Sequence, residues 1–226
     1  GDWLKLVKKK IIYLKKKKKT PILVGGTGLY FKALTEGLVN IPNIPTKFRN
    51  KVRSLHKKIG TKKFFLELVK IDPLVKKKIH PLDTQRAIRA YEIKSFTKKS
   101  MYDFFETNNL KYQQDDFYKI FINFPRDELV KRIESRSKKM IKNGLISEVK
   151  KFLGLKVPKK MTASKAIGVN EVRDYLDKKI LIHELIEKIS IKTRQYAKRQ
   201  MTWGRGNMPD WNKITSDGQN KFLKKI

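Results

Sequence analysis

A chain of 226 residues has room for a sizeable core and for one or two domains. It contains no cysteine, which excludes disulfides and thiolate zinc sites, and no apolar run near the roughly 20 residues of a membrane span. Lys and Arg number 55 against 21 Asp and Glu, for a formal charge of +34, which points towards a polyanionic partner.

The charge has a second reading. Eleven of the cations are arginine and the rest lysine, and lysine enrichment also follows from compositional drift. The arginines carry more information, because the planar guanidinium fork suits phosphates. His56, His80 and His183 lie far apart and show no ligand spacing, so no metal ligand set is assigned. Hydrophobic content of 39% is low for a globular chain without being that of a disordered one. Lysine runs at 8–10 and 15–19 interrupt the first apolar segment, which is not the pattern of a signal peptide, and a cytoplasmic protein is the expectation.

In chain order, residues 3–14 read as the end of a helix and the lysines at 15–19 as a surface connection. "PILV" (21–24) reads as a buried strand. "GGTG" (25–28) then turns into a helix over 29–36, with Tyr30, Ala33 and Leu34 at helical spacing and Gly37 as its stop. "NIPNIP" (40–45) is a loop and a domain hinge. "FRNKVRSLHKKIG" and "TKKFFLELVKID" are two amphipathic helices, stopped by Gly60 and by Asp72-Pro73; "TQRAIRAYEIKSF" is a third, with Ala87, Ile88, Tyr91 and Ile93 apolar.

"FYKIFINF" (117–124) reads as a strand. Pro125 opens a helix with Asp127 and Glu128 at its positive end, and Gly144 ends it. A short helix follows at 145–153. "TASKAIGVNEVRDYL" is another, and a long one runs from about 180 to 203 with Ile182, Leu185, Ile186 and Ile189 buried; "NMPDWNKI" is irregular or a short final strand. The expected fold class is α/β, with residues 1–43 and 111–226 as the core domain and 44–110 as an all-helical insertion.

Four segments offer chemistry. In "GGTG", a strand, a glycine turn and a helix N-terminus can bring backbone N–H groups to an anion, with the Thr27 hydroxyl beside them; the glycines equally serve a tight turn. The chain has no Gly-Lys dipeptide, so this is not the common phosphate loop, and the dinucleotide fingerprint is not met either. In "DTQRAIRAYE", Gln85 and Arg89 share a helix face with Arg86 beside them, suited to phosphates or base edges or simply to solvent. Arg132 and Arg136, one turn apart, either clamp a diphosphate or pair with Glu128 and Glu134. In "SIKTRQYAKRQMTWGR", Arg194, Lys198, Arg199 and Arg205 interleave with Tyr196 and Trp203, which suits single-stranded or looped RNA or else a helix with a basic outer face.

"PILVGGTGLYFKALTEGL", "IHPLDTQRAIRAYEI", "RDELVKRIESRSKKMIKNGLISEVKKFL", "ASKAIGVNEVRDYL" and "TRQYAKRQMTWGR" together resemble, in this order, segments of the tRNA dimethylallyltransferase (tRNA isopentenyltransferase) family. The resemblance covers nearly the whole chain, and the ordered motifs argue against a generic basic RNA-binding protein. It implies a P-loop-like, nucleotide- and ATP-binding type of α/β parallel-sheet core, incomplete at the N-terminus, with a helical insertion that closes over the tRNA anticodon stem-loop. It implies transfer of a dimethylallyl group from dimethylallyl diphosphate, with Mg²⁺, to N6 of the adenosine 3′ of the anticodon, in tRNAs reading codons that begin with U. The target base is drawn out of its stack. A monomer without membrane attachment is expected.

By motif, the resemblance makes Thr27 the catalytic and tRNA-contacting residue. Arg49 in "TKFRN" is a tRNA contact, as are Gln85, Arg86, Ala87, Ile88 and Arg89, and as are Lys165, Ala166, Ile167, Gly168, Val169 and Asn170; Arg132 and Arg136 are diphosphate contacts. Val169 stands where the family has tyrosine, "DTQR" where it has "DPQR", and Gly204 follows Trp203 where a bulky residue is common. The family's phosphate loop and the aspartate expected as general base are not among these residues. Catalysis by this chain alone is therefore expected to fail; the alternative is a remnant that only binds tRNA.

Overall fold

The computed structural model describes residues 2–106, 116–159, 161–215 and 218. In chain order these form α1 (Asp2–Lys16), α2 (Gly28–Thr35), α3 (Thr46–Ile71), α4 (Val75–Lys78), α5 (Thr84–Thr97), α6 (Met101–Glu106), β1 (Ile120–Ile122), α7 (Arg126–Lys142), α8 (Leu145–Gly154), a 3-10 turn (Ala163–Lys165), α9 (Val169–Leu176), α10 (Ile182–Asn207) and β2 (Asn212–Ile214). Packing divides the chain into two compact units. One is Gly1–Pro21 with Leu29–Asp116, the other Ile22–Gly28 with Phe117–Ile226. This is a different cut from 43/44 and 110/111: residues 1–21 and 29–43 pack in the first unit. The ends of the expected segments, at 107–115 and at 216–226 apart from Gly218, lie outside the described residues.

The first unit is helical throughout its described residues. Trp3 of α1 stacks on Tyr30 of α2 with ring centroids 4.5 Å apart and an interplanar angle of 12°. Ala33 and Leu34, at the expected spacing, are the buried residues of α2. The two helices expected on either side of Gly60 are present as the two halves of α3, parted by Gly60 at the non-helical φ 78°, ψ 165°. Phe64, Phe65 and Leu68 of its second half are buried, and Asp72 caps its end by donating its N–H to the Leu68 carbonyl. The Asp72 carboxylate is itself buried and accepts from Ser100 Oγ at 2.8 Å, which satisfies it. α5 packs on α3 through Phe96 against Phe48 (5.4 Å, edge on) and Tyr91 against Phe64 (4.9 Å). The core these helices enclose includes Ile44, Val52, Phe64, Leu68, Ala87, Ala90 and Ile93.

The kink makes a test of its own. Nothing lies within 4 Å of where a Gly60 Cβ would stand, so Gly60→Ala meets no clash and its cost is backbone strain alone. It is expected to lower unfolding free energy by about 1–2 kcal/mol. Urea denaturation checks this, the midpoint falling while the slope is kept.

In the second unit, β1 and β2 form a two-stranded parallel sheet with Ile120 opposite Asn212, Phe121 opposite Lys213 and Ile122 opposite Ile214. Pro125 precedes α7, whose first turn carries Asp127 and Glu128 as expected. α10 is capped by Glu184, whose carboxylate accepts the Leu181 N–H at 2.6 Å. α8, α9 and α10 share a core of Val149, Val169, Val172, Ile180, Leu185 and Ile189.

Three expectations are corrected. "PILV" is not assigned as a strand: it has no ladder partner among the described residues, and Ile22 and Val24 are 84% and 91% exposed. Apolar, branched residues meet the side-chain requirement of a strand, but the strand itself is made by hydrogen bonds to a neighbour, and the described sheet has two members, β1 and β2. "TASKAIGVNEVRDYL" is a 3-10 turn and a helix broken at Gly168, whose φ of 105° ends any continuous helix. Ile182, at the first residue of α10, is exposed, whereas Leu185 and Ile189 one and two turns further are buried.

Candidate nucleic-acid interface

The glycine turn is built against α10. Gln200 Nε2 donates to the Gly26 carbonyl at 2.8 Å. A Cβ on Gly26 would stand 2.1 Å from Gln200 Nε2, and one on Gly28 would stand 2.0 Å from the Trp203 ring. Real Cβ atoms do not approach so closely; the end of the flexible Gln200 side chain can yield, but the Trp203 ring cannot, so the turn lies on α10 because Gly28 lacks a side chain. Thr27 lies between the two glycines, exposed, immediately before the first residue of α2. Its hydroxyl is therefore at the surface on a backbone clamped from below. One turn along α10, Gly204 is buried against the Phe121 ring of β1, where a Cβ would come within 2.4 Å of Cε2. The glycine after Trp203 thus lets α10 approach the sheet.

The same contacts divide the basic aromatic segment. Trp203 packs on Gly28 and is half-buried, so it is a packing residue. Tyr196 is exposed, with the Arg199 guanidinium 5.9 Å from its ring centre. Lys198, Arg199 and Arg205 are exposed, and Arg194 Nη1 lies 4.0 Å from Glu134 on α7.

In the first unit the structure joins residues that are distant in sequence. Arg49 and Arg53, one turn apart on α3, and Arg89 on α5 all converge on Glu92. Arg49 Nε lies 3.3 Å from Oε2, Arg53 Nε 3.6 Å from Oε1 and Arg89 Nη1 3.2 Å from Oε2. Of the expected contacts, Arg49 and Arg89 are thereby brought together. Arg53 and Glu92 were missed; the signal available was Arg49–Arg53 at i, i+4 and Arg89–Glu92 at i, i+3. Gln85 is exposed one turn before Arg89. Arg86 is exposed and pairs with Asp83, the residue that caps α5 by accepting the Arg86 N–H. Ala87 is buried in the core and Ile88 half-buried against it, so neither presents an outward side chain.

The segment 165–170 sits in the second unit. Lys165, Ala166 and Asn170 are exposed, Ile167 is half-buried, and Gly168 and Val169 are buried. Val169 packs in the core, which fits valine as a filler where a tyrosine was expected. The turn is held by Glu171, whose carboxylate accepts the Gly168 N–H at 2.7 Å and pairs with Lys192 of α10. Burial pushes the Glu171 carboxyl up, but the bond from Lys192 and the backbone N–H groups of Glu171 and Gly168 outweigh it and hold it below its ordinary 4.5. Arg173 donates to Asn170 Oδ1 at 2.9 Å and so orients that exposed amide.

Arg132 and Arg136 are both exposed on α7. Arg132 pairs with Glu128 at 3.2 Å and lies over the Phe124 ring at 4.4 Å. Among the described residues no group of three or more His, Asp or Glu side chains could hold a metal ion. No helix among the described residues is long and apolar enough to cross a membrane.

The family model described as IPP transferase matches residues 1–207. The chain is 54% identical over 226 residues to the tRNA dimethylallyltransferase of Pelagibacter ubique, covering 100% of this chain and 72% of that protein. Among solved structures it is similar to the full-length tRNA isopentenylpyrophosphate transferase of Bacillus halodurans (30% identity, TM-score 0.62, 100% of this chain and 70% of that one). It is also similar, in fold, to a eukaryotic dimethylallyltransferase acting on tRNA (24% identity, TM-score 0.77, 99% and 59%). The chain thus spans 59% to 72% of the length of these three proteins. The α/β architecture with a helical block, expected from the resemblance, is the one it shares with them.

Proposed function

We propose, on the premise that this chain belongs to the IPP transferase family, that it serves the prenylation of tRNA. The reaction is transfer of a dimethylallyl group from dimethylallyl diphosphate to N6 of the adenosine 3′ of the anticodon, in tRNAs reading codons that begin with U, and the setting is the cytoplasm. A bond forms between N6 and the prenyl carbon as the carbon–oxygen bond to diphosphate breaks; diphosphate leaves with the electron pair, and N6 gives up a proton to water or a carboxylate base. Mg²⁺ enters this reading only as the counter-ion of the diphosphate, where it neutralises the charge of the leaving group.

The roles open to the chain's own residues are binding and orientation. The single observation that supports the reading most is the exposed Thr27 hydroxyl on a turn clamped by Gln200 and Trp203. A hydroxyl fixed in that way can hold one edge of an extruded base without paying to order itself. Gln85, Arg49 and Arg89 in the first unit, and Lys165 and Asn170 in the second, would grip the surrounding sugar-phosphate chain.

An anticodon stem-loop carrying 2-aminopurine at the target position tests this. Binding is expected to raise its fluorescence as the base leaves the stack, and Thr27→Val is expected to reduce that rise and to weaken binding modestly. Nucleoside mass spectrometry after incubation with dimethylallyl diphosphate and Mg²⁺ reports where a prenyl group goes. A stem-loop bound no better than an unrelated hairpin, or a prenyl group on any other nucleotide, contradicts the reading.

A further inference from the structure

We propose that Glu92 is a positioning residue that gathers Arg49, Arg53 and Arg89 into a seat for one phosphodiester group of the RNA backbone. The inference rests on the tRNA-binding reading above and adds to it an anchor, a third cation and a stoichiometry.

The first observation is charge. One carboxylate faces three guanidinium groups within 3.2–3.6 Å, which leaves a formal surplus of two positive charges. A single arginine would balance a buried glutamate. Two more bring like charges together, an arrangement that repels itself until an anion arrives.

The second observation is placement. Glu92 is 1% exposed, while the side chains of Arg49, Arg53 and Arg89 are 41%, 53% and 39% exposed. The carboxylate is the floor and the cations are the surface above it. Packing sets their spacing: Arg49 and Arg53 are one turn apart on α3, Arg89 is on α5, and the Phe48–Phe96 contact with buried Val52, Ala90 and Ile93 joins the two helices.

The third observation is that the cluster is not saturated. Arg49 Nε, 3.3 Å from Glu92 Oε2, and Glu92 Oε1, 3.6 Å from Arg53 Nε, are buried in ion pairs that fall short of hydrogen bonds, so the carboxylate attracts the guanidinium groups without using up their donors. Each guanidinium carries five N–H donors, more than one carboxylate can take from three arginines. A phosphate supplies the missing acceptors in the two-point geometry that the arginine fork fits. Exposed Gln85, one turn before Arg89 on α5, continues the surface towards a neighbouring sugar or base.

The sign of one substitution separates this from simple electrostatics. Glu92→Gln makes the site more positive by one charge, so long-range attraction alone would tighten RNA binding. If Glu92 instead holds the arginines in register, the same change loosens it. The test is anisotropy titration of a labelled anticodon stem-loop with the 226-residue chain across a salt series, alongside denaturant unfolding of each variant. Glu92→Gln is expected to weaken binding about tenfold and to lower the salt slope by about one. Arg53→Lys keeps the charge and loses the fork; it is expected to weaken binding with the slope unchanged.

Folded Glu92→Gln that binds as tightly as the parent or tighter overturns the proposal, and would leave Glu92 as an ion-pair staple between α3 and α5. Arg53→Lys indistinguishable from the parent overturns it too, and decides the matter if Glu92→Gln does not fold. A parent chain with no preference for the stem-loop overturns the tRNA reading itself and takes this seat down with it.

Discussion

Gly28→Ala is expected to destabilise the second unit by about 3 kcal/mol and to abolish the effect of Thr27 on the bound RNA. Gly28 is the first residue of α2 and does not have a positive φ, so backbone preference does not oppose alanine there. Packing decides against it. The added carbon would stand 2.0 Å from Cζ3 and 2.1 Å from Cε3 of Trp203, atoms of a rigid ring rather than the end of a flexible chain. Either the ring leaves its place on the turn or the turn lifts from α10. Overpacking of this kind costs about 1–3 kcal/mol, and a clash with an aromatic plane belongs at the upper end. Thr27 is the neighbouring residue, so lifting the turn moves its hydroxyl as well. Trp203→Ala removes the obstacle. The double variant should therefore be more stable than the sum of the two losses implies, by at least about 1 kcal/mol. Denaturant unfolding of the four proteins measures this coupling; strictly additive losses would mean that the contact does not govern the turn.

Glu171→Ala is expected to cost about 2–3 kcal/mol and to loosen the 165–170 turn. Removing the carboxylate leaves the buried Gly168 N–H without its acceptor and Lys192 without its partner. Severing a fully buried ion pair would cost more, but the Lys192 side chain is 52% exposed and water recovers part of its loss. Glu171→Gln keeps an acceptor for the N–H and should lose less. The pair also has a pH signature. The folded carboxyl lies below its ordinary 4.5, so Glu171 contributes its stability above that value and loses it as pH falls through the lower folded value. Thermal melts between neutral pH and pH 3 should show the parent losing stability on acidification more steeply than Glu171→Gln; parallel curves would contradict the assignment.

Much of the helical architecture is legible in the residues because its causes are local. Gly60, Asp72-Pro73 and Gly37 end helical stretches where backbone preference requires it. Ala33, Leu34, Leu185 and Ile189 are buried where a period of 3.6 puts them. "PILV" shows the limit. Its composition is that of a strand, yet a strand needs a neighbour to bond, and composition does not supply one. Ala87 and Val169 show another. They sit inside motifs expected to touch RNA, but their side chains face the two cores, because a motif is contiguous and a helix face is not.

By itself the sequence determined the strongly basic charge, the positions of the breaks and caps, and an order of motifs that places the chain in its family. The tertiary structure alone decided that Gly28 admits the Trp203 ring, that Gln200 binds the Gly26 carbonyl, and that Arg53 and Glu92 join Arg49 and Arg89. The physical reason is the same in both cases. Periodicity and capping act over a few bonds along the chain, whereas close approach and ion pairing depend on distances in space, which only the packing of α10 on the turn and of α3 on α5 establishes.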